Sequence, residues 1–428
     1  MKALIIGSGG REHALAWKLL QSPRIAEVVC IPGNGGTAAL AGCRNLPLSI
    51  SDFEGITRFS LVNNMAFVVV GSEQPLAAGI TDYLQAQDIK VFGPTKIGAQ
   101  IESSKSWAKT LMQAAGIPTP DSKSFTEAAA AIAYIEQQGT PIVIKADGLA
   151  SGKGVTVAHT LADARAAVNK SFSGHFGLAG ERILVESYLQ GQEVSVLAVT
   201  DGLTIRPLIP AQDHKTIGEG DTGANTGGMG AYAPTPVVDQ PLLGRIQTEI
   251  LEPALKGLQQ QNIDYRGVLY AGLMVTPQED LQVIEFNCRF GDPETQAILP
   301  LLETPLDAII LACLEQRLAD FPPFEWKSAA AACVVMAAAG YPDVYPKGMV
   351  ISGLEAAAET DAIVFHAGTR RVQQQVQASG GRVLGVTAVG ETFESAIANA
   401  YRAVECIEFE HSYYRSDVGY RVKVLPGT

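Results

Sequence analysis

A chain of 428 residues is longer than one ordinary domain and has the length of about three. Its composition, 47% apolar and 18% charged, excludes wholesale disorder and supports a core that needs no disulfide or metal staple. Acidic side chains outnumber basic ones 44 to 32, a formal charge of −12. That field is opposite to the one a nucleic-acid duplex requires, although backbone amides and a few local cations can still hold a small anion.

The N-terminal quarter predicts an open α/β unit. Apolar runs at Ala3–Ile6, Val28–Ile31, Phe67–Val70 and Val91–Phe92 alternate with helical stretches near Glu12–Leu20 and Leu76–Gln87. Each run stops at or just before a glycine (Gly7, Gly33, Gly71, Gly93), and turns at the carboxyl ends of parallel strands are expected to rim a pocket. From about Gln100 the pattern changes to helices Ile101–Ala115 and Thr126–Gln138. A hairpin follows (Pro141–Ala146 and Val155–Ala158), and then a strand, Ile183–Val185. Farther on come strands Val194–Val199, Val268–Val275 and Gln282–Phe286 and a long helix, Leu242–Gln261. Phe321-Pro-Pro-Phe324 marks a boundary; beyond it Ala330–Ala337, Ala362–His366 and Val383–Val389 read as strands and Phe393–Ile407 as a helix. Cysteines 30, 43, 288, 313, 333 and 406 show no C-x-x-C spacing, which suits a reducing compartment without structural zinc. The longest apolar run, 329–339, is too short and alanine-rich to span a bilayer, and no signal peptide is evident before Gly7, so a cytoplasmic protein without membrane contact is expected.

Several motifs carry chemistry. Gly7-Ser-Gly-Gly10 follows a strand and opens a helix, where free amides can hold a phosphate, and Arg11 and His13 add donors beside it. A dinucleotide fold fails here, because Glu12 stands where a third glycine belongs and Asn34 where a ribose-binding acid belongs. Asp147-Gly-Leu-Ala-Ser-Gly-Lys-Gly154 departs from the Walker A spacing and lies between strands, so it reads as a lid closing over phosphates, with Lys145 as a point charge below it. Glu186 and Glu193 flank a short hinge and could accept bonds from an adenine amino group and ribose hydroxyls.

In Gln282-Val-Ile-Glu-Phe-Asn-Cys-Arg289, strand alternation puts Glu285, Asn287 and, if the strand persists, Arg289 on one face, with Ile284 and Phe286 facing a core. A carboxylate beside an amide oxygen suits Mg²⁺, a hard ion that keeps other positions for water and phosphate. Asp213–Gly230 holds six glycines among 18 residues, with three acids, His214, Lys215 and Asn225. Such a segment is either disordered or shaped around a polar ligand. Met229 within it reads as packing.

Taken together, Gly7-Ser-Gly-Gly-Arg-Glu-His-Ala14, Lys145–Gly154, Asn225-Thr-Gly-Gly-Met-Gly-Ala-Tyr232 and Arg289-Phe-Gly-Asp-Pro-Glu294 resemble the glycinamide ribonucleotide synthetases of the ATP-grasp superfamily, along the whole chain. The family often has Gly-Pro-Glu near residue 75; this chain has Gly71-Ser-Glu-Gln-Pro75. The resemblance implies an N-terminal open parallel α/β domain (1–103), a central mixed α+β ATP-grasp domain (104–325, with a small mobile lid over about 120–190) and a C-terminal small α/β domain (326–428). It implies Glu285 and Asn287 as ligands of Mg²⁺ or Mn²⁺. ATP contacts would come from Lys105, Lys145, Gly152, Lys153 and Gly154, with Glu186 and Leu189 at the adenine hinge and Glu193 at the ribose. Substrate contacts would come from Gly9, Gly10, Arg11, His13, Asp213, His214, Lys215, Asn225, Thr226, Gly227, Gly228, Met229, Arg289 and Asp292.

The implied reaction joins glycine to 5-phosphoribosylamine through glycyl phosphate, with ATP as co-substrate. A carboxylate is already a nucleophile, so no serine or cysteine triad is needed. Catalysis would rest on positive charge from Lys145, Lys153, Arg289 and the metal, with Asp213 or His214 taking the amine proton. A monomer or weak homodimer is expected. The rival readings are an ATP-grasp ligase acting on bicarbonate or formate, which should lack Asn225–Met229 and Arg289–Asp292, and a non-catalytic nucleotide-binding protein, which the retained Glu285 and Asn287 disfavour.

Overall fold

The computed structural model describes residues 1–150 and 154–424. The chain begins with β1 (Lys2–Gly7), α1 (Gly10–Leu19), β2 (Glu27–Pro32), β3 (Cys43–Asn45), α2 (Phe53–Val62), β4 (Phe67–Val70), α3 (Glu73–Ala78), α4 (Ile80–Gln85) and β5 (Val91–Phe92). These strands form a parallel sheet in the order β3-β2-β1-β4-β5. Ala3 to Ile6 and Val28 to Ile31 are fully buried, so they read as unbroken apolar runs. The helix expected over Leu76–Gln87 is two helices, because Gly79 takes the left-handed conformation (φ 96) between them.

The strand order reverses between β1 and β4, where an open α/β sheet usually leaves a crevice. Here Glu12 fills it. A Cβ on Gly7 or Gly71 would meet the Glu12 side chain at 2.5 and 2.1 Å, and one on Gly33 would meet Asn45 at 2.2 Å. Gly93 backs onto Gly267, so the four glycines serve close packing and do not rim the large cleft.

Next come α5 (Gln100–Ser103), α6 (Lys105–Ala114), β6 (Ser122–Phe125), α7 (Ala128–Gln138), β7 (Ile142–Ala146), β8 (Val155–Ala158), α8 (Leu161–Lys170) and β9 (Ile183–Ser187). The four strands form an antiparallel sheet ordered β6-β9-β7-β8, and with α7 and α8 they enclose an apolar cluster of their own, including Ile135, Ile144, Val168 and Val185.

The chain continues with β10 (Gln192–Asp201), β11 (Ile205–Pro207), β12 (Gln212–Asp213), β13 (Thr216–Gly218), β14 (Thr222–Asn225), β15 (Gly230–Ala233), α9 (Gln240–Ile246), α10 (Glu252–Gln260), β16 (Arg266–Val275), β17 (Leu281–Asn287), α11 (Glu294–Ile298) and α12 (Leu306–Leu314). An antiparallel sheet β11-β10-β16-β17 is its backbone. One core runs from Leu4 and Val68 of the first sheet through Leu111 of α6 to Leu273 and Phe286. Burying each such side chain stabilises by about 1.5–3 kcal/mol, which locks the first unit to the central one.

The last part holds β18 (Ala330–Ala338), β19 (Val350–Ile351), α13 (Leu354–Ala358), β20 (Ile363–His366), β21 (Thr369–Val372), β22 (Gln375–Ala378), β23 (Arg382–Gly390), α14 (Phe393–Val404) and β24 (Ser412–Tyr413). Strands β12 and β15, which flank the glycine-rich segment, complete its main sheet, β12-β15-β18-β23-β20, while the interior of the segment forms the separate hairpin β13–β14. The segment Asp213–Gly230 is therefore built into the fold. The alanines of β18 let α14 pack closely through Ala396, Ala400 and Ala403.

Candidate active site

A cleft of about 1480 Å³ opens between the β6–β9 sheet, strand β17, the β13–β14 hairpin and residues Tyr341 and Arg382 of the last unit. On the lid side, β7 carries Lys145 and its neighbour β9 carries Glu186, and both are buried. Lys145 Nζ lies 2.7 Å from Glu186 and donates to the Ile284 carbonyl at 3.0 Å. Lys109, one turn beyond Lys105 on α6, meets Glu186 at 3.3 Å and donates to Thr119 Oγ1 at 2.7 Å. Burial pulls the Lys109 pKa down to about 8, with Lys145 adding to the effect against Glu186. The Glu186 carboxylate thus holds two ammonium groups at once and also lines the cleft.

Asp147 turns back and accepts from Ser106 N at 3.1 Å, so the glycine-rich turn caps the first turn of α6. Lys105 donates to the Gly148 carbonyl at 2.9 Å, and burial lowers its pKa against the opposing Glu285. Gly148, Leu149, Ala150, Leu189 and Glu193 line the cleft. Gly154 does not; it packs against Ala146 and Ala150. Gly152 and Lys153 lie outside the described residues.

Glu285 and Asn287 of β17 both line the cleft, as strand alternation predicts. Ile284 does not follow that prediction. The β16–β17 register shifts between Gly272 and Leu273, leaving Ile284 as the extra residue of a bulge, and it lines the cleft. Burial opposes ionisation of Glu285, but Lys215, Lys145, Lys105 and Arg289 outweigh it and bring its pKa down to about 2. Lys215 stands 3.1 Å from Glu193 and 3.8 Å from Glu285. The strand ends at Asn287, yet Arg289 reaches back to its Oδ1 at 3.2 Å while pairing with Glu102 at 2.8 Å and Glu73 at 3.4 Å. Two hard oxygen donors, one firmly ionised, fit Mg²⁺ or Mn²⁺. Among the described residues there is no cluster of three or more His, Cys, Asp or Glu able to hold a metal. A cation at this pair would therefore take its remaining ligands from phosphate and water.

At the opposite end stand Arg11, Asp213, Lys215, Asn225, Thr226, Gly227, Arg289 and Asp292, all expected and all lining the cleft. Asp213 is buried, its Oδ1 has no hydrogen-bond partner, and burial with the neighbouring Glu294 raises its pKa well above the carboxylate range. Glu294 accepts from Tyr270 at 2.6 Å and Ser195 at 3.0 Å.

Six expected contacts fall away. Gly9 N–H is taken by Glu12 and Arg11 N–H by Asp292, so carboxylates consume the amides that a phosphate would need. Gly10 packs on Gln296. His13 accepts from His366 N at 2.9 Å against Phe365, and burial, with His366, lowers its pKa to about 3. His214 accepts from Gly419 N at 3.1 Å between Tyr232 and Tyr420, its pKa lowered to about 3 by burial and then by Arg421 and Arg415. Gly228 packs on Pro293, and Met229 is core beside Val335. None of the six lines the cleft.

Sequence reasoning missed Glu73, Glu102, Lys109, Tyr270, Glu294 and Arg382. Lys109 was accessible from its four-residue spacing to Lys105; Arg382, donating to the Asp292 carbonyl at 2.7 Å, carries no local signal.

Models of the phosphoribosylglycinamide synthetase N domain, ATP-grasp (A) domain and C domain match residues 1–102, 103–295 and 331–421. The chain belongs to the phosphoribosylglycinamide synthetase family. Its relatives include proteins named phosphoribosylamine–glycine ligase from a Nostoc species (62% identical, covering 99% of this chain and 100% of that one) and Pseudomonas aeruginosa (47%, 98% of each). A solved phosphoribosylamine–glycine ligase of Thermotoga maritima superposes with a TM-score of 0.84 at 31% identity, covering 98% of this chain and all of that one. A biotin carboxylase of Campylobacter jejuni, at 16% identity and TM-score 0.70, shares the fold over 96% of this chain and 92% of that one. Membership of the phosphoribosylglycinamide synthetase family bears out the fold that the motifs implied. It makes the chain an ATP-grasp ligase of purine biosynthesis, in a class of enzymes that use ATP and a divalent cation. No helix among the described residues is long and apolar enough to cross a membrane.

Proposed function

We propose that this ligase joins glycine to 5-phosphoribosylamine in the cytoplasm, as a monomer or weak homodimer, giving glycinamide ribonucleotide, ADP and phosphate. The observation that carries the site assignment is the pair Glu285 and Asn287, opening on the cleft that Lys105 and Lys145 enter from one side and Asp213, Lys215 and Asp292 from the other. Glu285 and Asn287 would hold Mg²⁺ or Mn²⁺, which when bound neutralises charge on the transferring phosphoryl group.

The side chains then have distinct tasks. Lys145 and Lys105 hold the nucleotide's phosphates. The cluster formed by Asp213, Glu294 and Tyr270 receives the amino group of glycine, leaving its carboxylate oxygen to attack the terminal phosphorus as ADP departs. The phosphoribosylamine nitrogen then attacks the acyl carbon, phosphate leaves, and the nitrogen loses a proton, which this reading gives to Asp213, whose Oδ1 has no hydrogen-bond partner. Arg289 and Arg382 fix Asn287 and Asp292. Gly152 and Lys153 complete the lid contacts in this reading. Enclosure matters, because water would hydrolyse the acyl phosphate.

The test is ADP release with ATP, glycine and freshly made phosphoribosylamine, each omitted in turn. Release that depends on glycine supports the reading; equal release without glycine overturns it.

A further inference from the structure

The hairpin β13–β14 is short, bears a register shift and is exposed along most of β14, with Ile217 of β13 packing on Met229, Val335 and Ala337. Even so, Thr216 and residues 221–226 form one wall of the cleft. The polar side of that wall is held by the segment Arg415–Arg421, a strap lying across the hairpin. Arg415 is fully buried, donates twice to Asp417 at 2.7 Å, and reaches Asp221 at 3.0 Å and the Thr216 hydroxyl at 3.1 Å. Asp417 accepts from Gly220 N at 2.8 Å, Tyr420 donates to Asp221 at 2.6 Å, and Arg421 donates to the Asp213 carbonyl at 2.9 Å. A fully buried guanidinium is costly unless every donor is placed, and here the donors span the hairpin and the strap alike. Arg415 itself does not line the cleft.

We propose that Arg415 is a positioning residue for the ligase reaction: through Asp221 and Thr216 it fixes the hairpin wall against which the non-nucleotide substrates are held. The identity of those substrates rests on the function proposed above; the strap does not.

The experiment uses the full chain with Arg415→Met, Arg415→Lys and, should the first fail to fold, Asp417→Asn, which keeps the shape and one acceptor. The KM for glycine and for phosphoribosylamine is expected to rise about tenfold or more in Arg415→Met and about threefold in Asp417→Asn, with Arg415→Lys in between. The Kd of ADP should stay within twofold of wild type, and amide hydrogen exchange at Gly223–Asn225 should quicken at least tenfold in Arg415→Met. Unchanged KM values in folded variants, an ADP Kd rising in parallel with KM, or unchanged exchange in the hairpin would overturn the proposal. Absence of glycine-dependent ADP release in the wild-type chain would instead overturn the reaction assignment and leave the exchange measurement to decide the strap.

Discussion

Glu285 is half-buried and keeps its charge because four cations face it, and in the proposed reaction it carries the cation. Glu285→Gln removes the charge while keeping an oxygen donor. Glycine-dependent ADP formation is expected to fall by about 10²–10³-fold, the usual cost of removing one preorganised charge-stabilising group. The far-ultraviolet spectrum should not change, and turnover near wild type would take Glu285 out of the metal role. Glu186 is a different case, since it compensates Lys145 and Lys109 at once. Glu186→Ala takes the paired carboxylate away from two buried ammonium groups, which keep only neutral hydrogen-bond partners, so roughly 3–5 kcal/mol of stability should be lost. A urea midpoint matching wild type would contradict the triad. Glu186 shows the limit of a sequence reading: the residue type was legible, but the lysines that occupy it arrive from α6 and β7, far away along the chain. His13 and His214 teach the same lesson, because burial, which decides what a histidine does, is not written in its neighbours.

At the scale of elements, alternation along β17 was legible and a bulge was not, because a register shift depends on the partner strand. The same holds for α6. Ser104, at φ −138, breaks the expected Ile101–Ala115 helix, and Asp147 crosses over to cap the second piece. Asp147→Ala should cost about 1 kcal/mol, as lost caps do, and speed amide exchange in the first turn of α6. Unaltered exchange there would show that the cap contributes nothing. The glycine-rich segment read as either disordered or ligand-shaped, because its own residues offer little to bury. The structure anchors its two ends in β12 and β15, and β15 pairs with β18, a strand about 100 residues later in the chain that local pattern cannot supply.

Across the whole molecule, the buried runs and glycine breaks made the three-part α/β architecture readable, while the cleft depends on how the parts meet. The fold also buries His13 and His214 with pKa values near 3 and His366 near 4, against about 6.5 in an unfolded chain. At these three sites the unfolded chain binds more protons, so each makes stability fall as pH drops from about 6.5 towards 4, by about 1.4 kcal/mol per pH unit, while the raised carboxyls of Asp213 and Glu102 act in the opposite direction. Asp221 and Glu285, held near 2, lose their contribution only below the usual carboxylate range. Three histidines outnumber those two carboxyls, so the urea midpoint should be lower at pH 5 than at pH 7.5, and His214→Gln should flatten the dependence; an unaltered dependence in that variant would contradict a buried neutral His214.

The whole assignment turns on an acyl phosphate made from the carboxylate of glycine, and oxygen tracing tests it most directly. With glycine labelled in its carboxylate with heavy oxygen, each turnover should deliver one labelled oxygen to inorganic phosphate, because the carbon–oxygen bond of the intermediate is the one that breaks. Phosphate released without label at the full rate of product formation would contradict it.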